Sequence, residues 1–508
     1  MLEREVGREF WRVTLEDLAE AMENRVSEYG NPDEPLKFKI YRDRPRRALT
    51  TKVPRQLTEV DELDEVALST LLRYAYGLSR QEFDTNGTWP YHRMVASARC
   101  LFGVQLYVCL AEGVYHYDAP HHALVLLRDG DHRRLLTRST GTEQDLPKAV
   151  FVLAGLFAKT AYIYRDYAYR LCTQEAGLLI GNIDLVSRTM GLRASVHHQF
   201  LDEPVNKLLG IDRDEEPALA VVPIHATDAP TTHIDQTGAQ LAATIPAIAP
   251  QIVPSGLKVA RACPTLTEVN RASFRTDTAT FRTAEPVAPD LPGTEPLFLP
   301  EIVVPQPNLA DLLRIRDSGP GIFKPVAARV DGIELWARLA RLRSGISSDA
   351  VPAGTPVPLE IFLTVGDLTG IPAGCYRLDQ KTGALHPIDH EGAGITAIER
   401  ATIPGPVFTN MSAVVHLVGD RDWAFDTFGD RGYRIMNQEA GLLAHRVCMA
   451  AAAQHLSGRV INAYHAEGVR AALGLTEQRH TPVFQILLAR CGPGGRVIVP
   501  VEPEAVNR

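Results

Sequence analysis

The sequence predicts an α+β chain built from two tandem copies of one domain, and three observations predict it. The stretch Tyr169-Arg170-x-x-x-Gln174-Glu175-Ala176-Gly177-Leu178-Leu179 returns 264 residues later, from Tyr169 to Tyr433, as Tyr433-Arg434-x-x-x-Gln438-Glu439-Ala440-Gly441-Leu442-Leu443. Gly113-Val114-Tyr115-His116-Tyr117-Asp118 has a counterpart in Gly374-Cys375-Tyr376-Arg377-Leu378-Asp379, and Leu209-Gly210-Ile211 has one in Leu473-Gly474-Leu475. The order of elements is the same in both halves: apolar strand, Gly-x-Tyr hairpin strand, long helix, Leu-Gly turn, final apolar strand. Two copies so far apart mean duplicated domains rather than a solenoid.

Length agrees, because 508 residues exceed what one core can organise. A hydrophobic fraction of 45% and a charged fraction of 22% are those of a soluble globular protein. The net charge of −8 argues against binding driven by nucleic-acid phosphates. The basic run Arg42-Asp43-Arg44-Pro45-Arg46-Arg47 is either a solvated surface segment or a groove for an acidic peptide or phosphate. Seven cysteines without CxxC spacing suit a reducing compartment and no metal site. No stretch has the roughly 18 apolar residues of a membrane span. The first residues lack the apolar core of a signal peptide. The expected location is cytoplasmic, with no membrane or nucleic-acid partner.

Taken in order, residues 8–30 carry Phe10, Trp11, Val13, Leu15, Leu18 and Met22 near helical spacing and predict an amphipathic helix, with Thr14 and Asp17 in the capping neighbourhood. Residues 31–58 are rich in Pro and Arg and predict an extended arm. Residues 62–78 predict a helix stopped near Gly77. After a loop with Asn86-Gly87 and Trp89-Pro90, strands are expected at 104–110, 114–117 and 123–127, with the histidines His116, His121 and His122 at the surface. A further strand opens the apolar run 149–163. The long helix spans 166–190, an extended piece 194–200, a short helix 203–209 and the last strand 217–225. Residues 226–300 are rich in Thr, Ala and Pro and predict a linker or crossing arm. The division is therefore 1–60 for the N-terminal helix and arm, 61–225 for the first domain, 226–304 for the arm between, and 305–508 for the second domain, whose long helix is expected at 431–456.

The ordered set Leu71–Gly77, Gly113–Asp118, Tyr164–Gly177, Gly191–Phe200 and Leu208–Pro223 resembles the nitroreductase-type FMN fold. It is most similar to the SagB-type azoline dehydrogenases of thiazole/oxazole-modified peptide biosynthesis, in a tandem version. The resemblance implies a nitroreductase-like fold whose two copies form an intrachain pseudo-dimer, with FMN at the seam between them. The family's flavin loop, roughly Pro-Ser-Ala-Gly-Ala-Leu-Tyr-Pro-Leu-Glu-Leu-Tyr, aligns with Ala96–Tyr107 and with Val351–Phe362. That alignment assigns Ser97, Ala98 and Arg99 in the first copy, and Pro352, Ala353 and Gly354 in the second, to the cofactor. Small residues there let backbone approach a flat ring system; Arg99 stands where glycine is usual.

A phosphate needs fixed positive charge and donors. The family's Arg-Ser pattern corresponds to Arg314, Arg316 and Ser318, with Arg490 and Arg496 as further candidates. The matching stretch of the first domain is acidic instead (Glu59, Asp61, Glu62, Asp64, Glu65). One FMN is therefore expected, its phosphate on the second domain and Ser97 reaching across from the first. The family's Lys-Tyr pair falls on Ile163-Tyr164, leaving Tyr164 as the candidate catalytic base. A tyrosine with a pKa near ~10 needs a nearby cation such as Arg165 or Arg170 to act at neutral pH. The pair His197-His198, one residue apart on an extended segment, is a poor two-ligand metal site, and no metal is expected. The resemblance implies dehydrogenation of thiazolines or oxazolines in a ribosomally made peptide. The precursor peptide and a cyclodehydratase would be the partners. A flavin reductase or oxidase of other peptide groups such as dehydroamino acids, a non-catalytic scaffold, and a further homodimer all stay open.

Overall fold

The computed structural model describes residues 5–83, 89–227, 231–285, 294–342, 347–352, 355, 357–389, 392–403, 406–492, 494–502 and 504–505. Two antiparallel sheets of matching topology form its frame. In the first, the strands run in the order Arg46–Ala48, Ala123–Asp129, Gly113–Asp118, Val104–Cys109, Ala149–Gly155, Ala218–His225, Arg193–Ala194. In the second, the order is Leu385–Pro387, Gly374–Leu378, Leu359–Val365, Ala413–Asp420, His480–Ala489, Ser457–Ile461. The central strands are buried along their whole length, which is why they read as continuous apolar runs rather than alternations.

The repeated motif builds the seam between the copies. It lies on two long helices, Ala168–Thr189 and Arg431–Ala453, which cross in close contact. Tyr169 stacks on Tyr433 with ring centroids 5.6 Å apart. Arg170 and Gln174 donate to the carbonyl of Val483 in the second copy, at 2.8 and 3.2 Å. Their repeats reciprocate: Arg434 donates to the Ala218 carbonyl at 3.1 Å and Gln438 to that of Leu219 at 2.9 Å. A Cβ on Gly177 would strike the Gln438 carbonyl, and one on Gly441 would strike that of Gln174. Glycine at this motif position is therefore a requirement of the helix crossing.

Each copy also reaches onto the other. The tail strand Val497–Pro500 pairs with Leu78–Phe83, which in turn pairs with Tyr91–Arg93. Those two first-copy strands fall where the sequence predicts a helix end and a loop. The arm between the copies is more structured than its composition predicts, with helices Gly238–Ala243, Val259–Ala262 and Pro264–Ala272 wrapped on the first copy. The arm then bonds Ala284 to the carbonyl of Ala350 in the second copy.

Three further expectations are corrected. The N-terminal helix expected over 8–30 is broken: α-helical at Val6–Trp11 and Leu18–Met22, with a π-helical turn at Arg12–Glu16 between. Asp17 caps the second piece, accepting the Glu20 N–H at 3.1 Å, whereas Thr14 is buried and donates to the Phe10 carbonyl. His116 and His122 are buried, hydrogen-bonded to Gln105 and Tyr117, and only His121 is exposed. The basic run is spent locally: Arg46 pairs with Asp118 and Arg47 with Glu112 on the sheet edge. Among the described residues no helix is long and apolar enough to cross a membrane, and no group of three or more His, Cys, Asp or Glu could hold a metal.

Candidate functional site

A cavity of about 530 Å³ opens at the seam, walled by both copies and by the N-terminal arm. The first copy supplies the loop Val95–Cys100 with Phe102 and the motif residues Gln174 and Glu175; the second supplies Arg316-Asp317-Ser318-Gly319, Arg459 and Asn462; the arm supplies Glu28 and Tyr29. The volume falls in the range of small-molecule and cofactor pockets.

The first-copy loop is pinned by Glu175, which is buried at 3% exposure. Its carboxylate accepts from Ser97 Oγ at 2.5 Å, from the Val104 N–H at 2.9 Å and from Tyr76 OH at 3.2 Å. Ser97 Oγ in turn accepts the Phe102 N–H at 2.9 Å, so its own hydrogen goes to Glu175. Burial outweighs these donors and raises the Glu175 carboxyl above its ordinary range. Three non-glycine residues of this turn, Arg99, Cys100 and Phe102, have φ of 49°, 58° and 50°. That left-handed backbone costs roughly 1 kcal/mol or more per residue, a cost that glycine would not carry.

The second-copy wall carries the positive charge. Arg316 is 3% exposed and donates to the carbonyls of Arg93 and Met94, while its Nη1 has no partner among the described residues. Asp317 accepts from Arg80 and Arg496, both of which also bond Glu82, closing a ring of alternating charge. Burial works against the Asp317 carboxylate, but Arg496 and Arg80 prevail and hold it below the usual range. Arg459 spends its guanidinium on the carbonyls of Ser318, Gly319, Pro320 and Gly321, shaping that loop around the cavity. His92 is pushed down to about 3 by burial and the Cys100 thiol up to about 11, so at neutral pH both are uncharged.

The structure brings Ser97, Ala98, Arg99, Arg316 and Ser318 to one cavity. Five other expected residues lie elsewhere. Arg314 pairs with Asp311 and Glu502 outside the cavity, Arg490 is exposed, and Arg496 is buried behind the wall between Glu82 and Asp317. Pro352 is exposed and off the cavity, while Ala353 and Gly354 lie outside the described residues. Tyr164 does not line the cavity. It is half-buried beside Arg99, with Arg25 stacked on its ring at 5.5 Å, and burial outweighs both cations to raise its pKa. The cations expected to activate it are engaged elsewhere: Arg165 lies near Asp33, and Arg170 bonds across the seam. Residue-by-residue reading missed Glu28, Tyr29 and Arg459, which reach the cavity only through tertiary folding. It passed over Glu175 although the repeat contained it.

At the pseudo-symmetric seam the equivalent residues bond one another. His198, which the 264-residue period places opposite Asn462, bonds Gln438 Oε1 and Glu439 Oε1, both at 2.8 Å. Asp349 accepts the N–H groups of His198 and Gln199, each at 2.9 Å.

No family model matches this chain. Over 165 residues it is 26% identical to a protein of Methanocaldococcus jannaschii named as a candidate nitroreductase, covering 31% of this chain and 78% of that one. A solved structure from Anabaena variabilis, also described as a candidate nitroreductase, has a TM-score of 0.71 at 21% identity, covering 96% of this chain and all of that one, 100%. A chain of the Escherichia coli microcin synthetase McbBCD complex, solved with truncated pro-MccB17 bound, has a TM-score of 0.28 at 18% identity, covering 44% of this chain and 94% of that one. The chain therefore has the nitroreductase-like fold in two tandem copies, packed against each other as an intrachain pseudo-dimer.

Proposed function

We propose that this chain is an FMN-dependent oxidoreductase that dehydrogenates thiazoline or oxazoline rings to azoles in a ribosomally made peptide. The observation that carries the reading is the seam cavity. It joins the Ser97–Phe102 loop of one copy to Arg316-Asp317-Ser318 of the other, and Arg316 on its lining has a buried guanidinium nitrogen without a protein partner among the described residues. A flavin phosphate fits that nitrogen, and Arg316 with Ser318 would hold it. Backbone of the 97–102 turn would face the ring system. When bound, the flavin supplies the hydride acceptor, with dioxygen restoring its oxidised form.

The ring being oxidised must also lose a proton, and Tyr164 is off the cavity lining. We assign that role to Ser97 and Glu175 instead. Both line the cavity, and the Ser97 hydroxyl already donates to Glu175 at 2.5 Å. Ser97 Oγ takes the ring proton as its own passes to the Glu175 carboxylate, whose raised pKa makes it a stronger base than an ordinary carboxylate. The precursor peptide would enter with its rings already formed, which requires a cyclodehydratase to act first.

The test is direct. Purified protein should carry FMN, and an azoline-containing peptide should lose two hydrogen atoms per ring by mass spectrometry. Flavin-loaded protein that leaves every azoline intact would turn the reading to oxidation or reduction of other peptide groups. Protein that takes up no FMN would turn it to a scaffold.

A further inference from the structure

We infer that Arg99 is an anchor for a carboxylate carried by the ligand of this cavity, and that Glu28 of the N-terminal arm occupies that anchor until the ligand displaces it. The inference rests on the cavity being the reaction site proposed above.

The charges of the wall are otherwise engaged. Asp317 and Glu82 are held by Arg80 and Arg496, Arg459 by four carbonyls, and Glu175 by three hydrogen-bond donors. Arg316 is bonded to the carbonyls of Arg93 and Met94 and faces the proposed phosphate. The remaining cation on the lining is Arg99. Its Nε donates to Glu28 Oε2 at 2.6 Å, and a second guanidinium nitrogen pairs with the same carboxylate. Arg99 comes from the loop of the first copy, whereas Glu28 comes from a segment that follows the helix Leu18–Met22 and has no regular structure of its own.

That segment also meets the first copy beside the cavity. Besides Glu28, the Val26 N–H donates to the Ile163 carbonyl at 2.9 Å, and Asn31 Nδ2 donates to the Tyr162 carbonyl at 2.9 Å. The Glu28 side chain is only 5% exposed, so the arm buries a carboxylate against the loop. Arg99 also occupies a left-handed position, φ 49°, where glycine would be at ease, so the side chain is kept at a backbone cost. Two guanidinium nitrogens of Arg99 converge on Glu28 Oε2, and the carboxylate of a ligand can meet the same two donors in its place. The ligand class is therefore an acidic peptide segment, its carboxylate coming from a side chain or from a free C-terminus.

Calorimetric titration of the full chain tests this with three probes: acetyl-Gly-Asp-Gly-amide, acetyl-Gly-Gly-Gly with a free carboxylate, and acetyl-Gly-Gly-Gly-amide as the neutral control. Glu28→Gln should tighten at least one acidic probe tenfold or more, leave the amide unchanged, and so identify the carboxylate's source. Adding Arg99→Gly should abolish the gain without unfolding the loop, because glycine suits φ 49°. Equal affinity for acidic and neutral probes in Glu28→Gln, or a gain that survives Arg99→Gly, overturns the inference. Titrations on flavin-free protein, with flavin uptake measured separately, keep its failure distinct from failure of the cofactor reading.

Discussion

Arg316 is the residue on which the cofactor reading can be tested most cleanly. Replacing it by alanine removes the one buried guanidinium nitrogen on the cavity that has no protein partner among the described residues. A hydrogen bond to a charged group contributes about 1.5–3 kcal/mol, so Arg316→Ala should weaken FMN binding by roughly 10- to 100-fold. Arg314→Ala, outside the cavity, should leave it unchanged; fluorescence titration with FMN reads both. The Ser97–Glu175 pair gives a second outcome. Glu175→Gln keeps the shape but removes the proton acceptor, so kcat should fall by about 10²–10⁴-fold while FMN stays bound. Unchanged kcat would remove Glu175 from the proton path. Arg316 was legible because an Arg-x-Ser pattern survives in one dimension. Tyr164 was misplaced because a pattern gives a position along the chain but not the arm that packs over it. Glu28 had no signal at all, since its partner is Arg99, in another segment of the chain.

The two long helices show what an element-level reading gains and loses. Repetition was visible in the letters, and so was the matching order of strands. The reason for the repetition was not, because the motif's tyrosines, arginines and glutamines act on the opposite copy rather than on their own. Gly177 carries the sharpest consequence. Its missing Cβ lets the Gln438 carbonyl approach, so Gly177→Ala must push the helices apart. Overpacking of this kind costs about 1–3 kcal/mol, and the midpoint of denaturant unfolding should fall accordingly. A midpoint that stays put would mean the crossing is looser than the structure shows. The N-terminal helix was overread for a related reason. Apolar spacing continues past Met22, but Asp17 starts a new helical segment and the chain then leaves to cover the cavity.

For the molecule as a whole, the two seams have diverged. One holds a cavity, while at the other His198 bonds Gln438 and Glu439 and its backbone N–H donates to Asp349. The chain should therefore bind one flavin, and quantifying the flavin released per chain tests this; two per chain would mean that the second seam also holds one. The second seam also has a pH signature. Burial disfavours a charged His198, but the hydrogen bond and charge of Glu439 outweigh it and raise its pKa above 6.5. Because the folded value lies above the unfolded one, His198 contributes its full stability below about 6.5 and loses it as pH rises through the folded value. His198→Gln, which keeps a hydrogen-bonding side chain but no charge, leaves Glu439 without its cation and should cost about 3 kcal/mol at low pH. The gap to the unmodified chain should then narrow as pH rises, in denaturant unfolding followed across the range. A gap that does not change with pH would show His198 neutral in the folded chain.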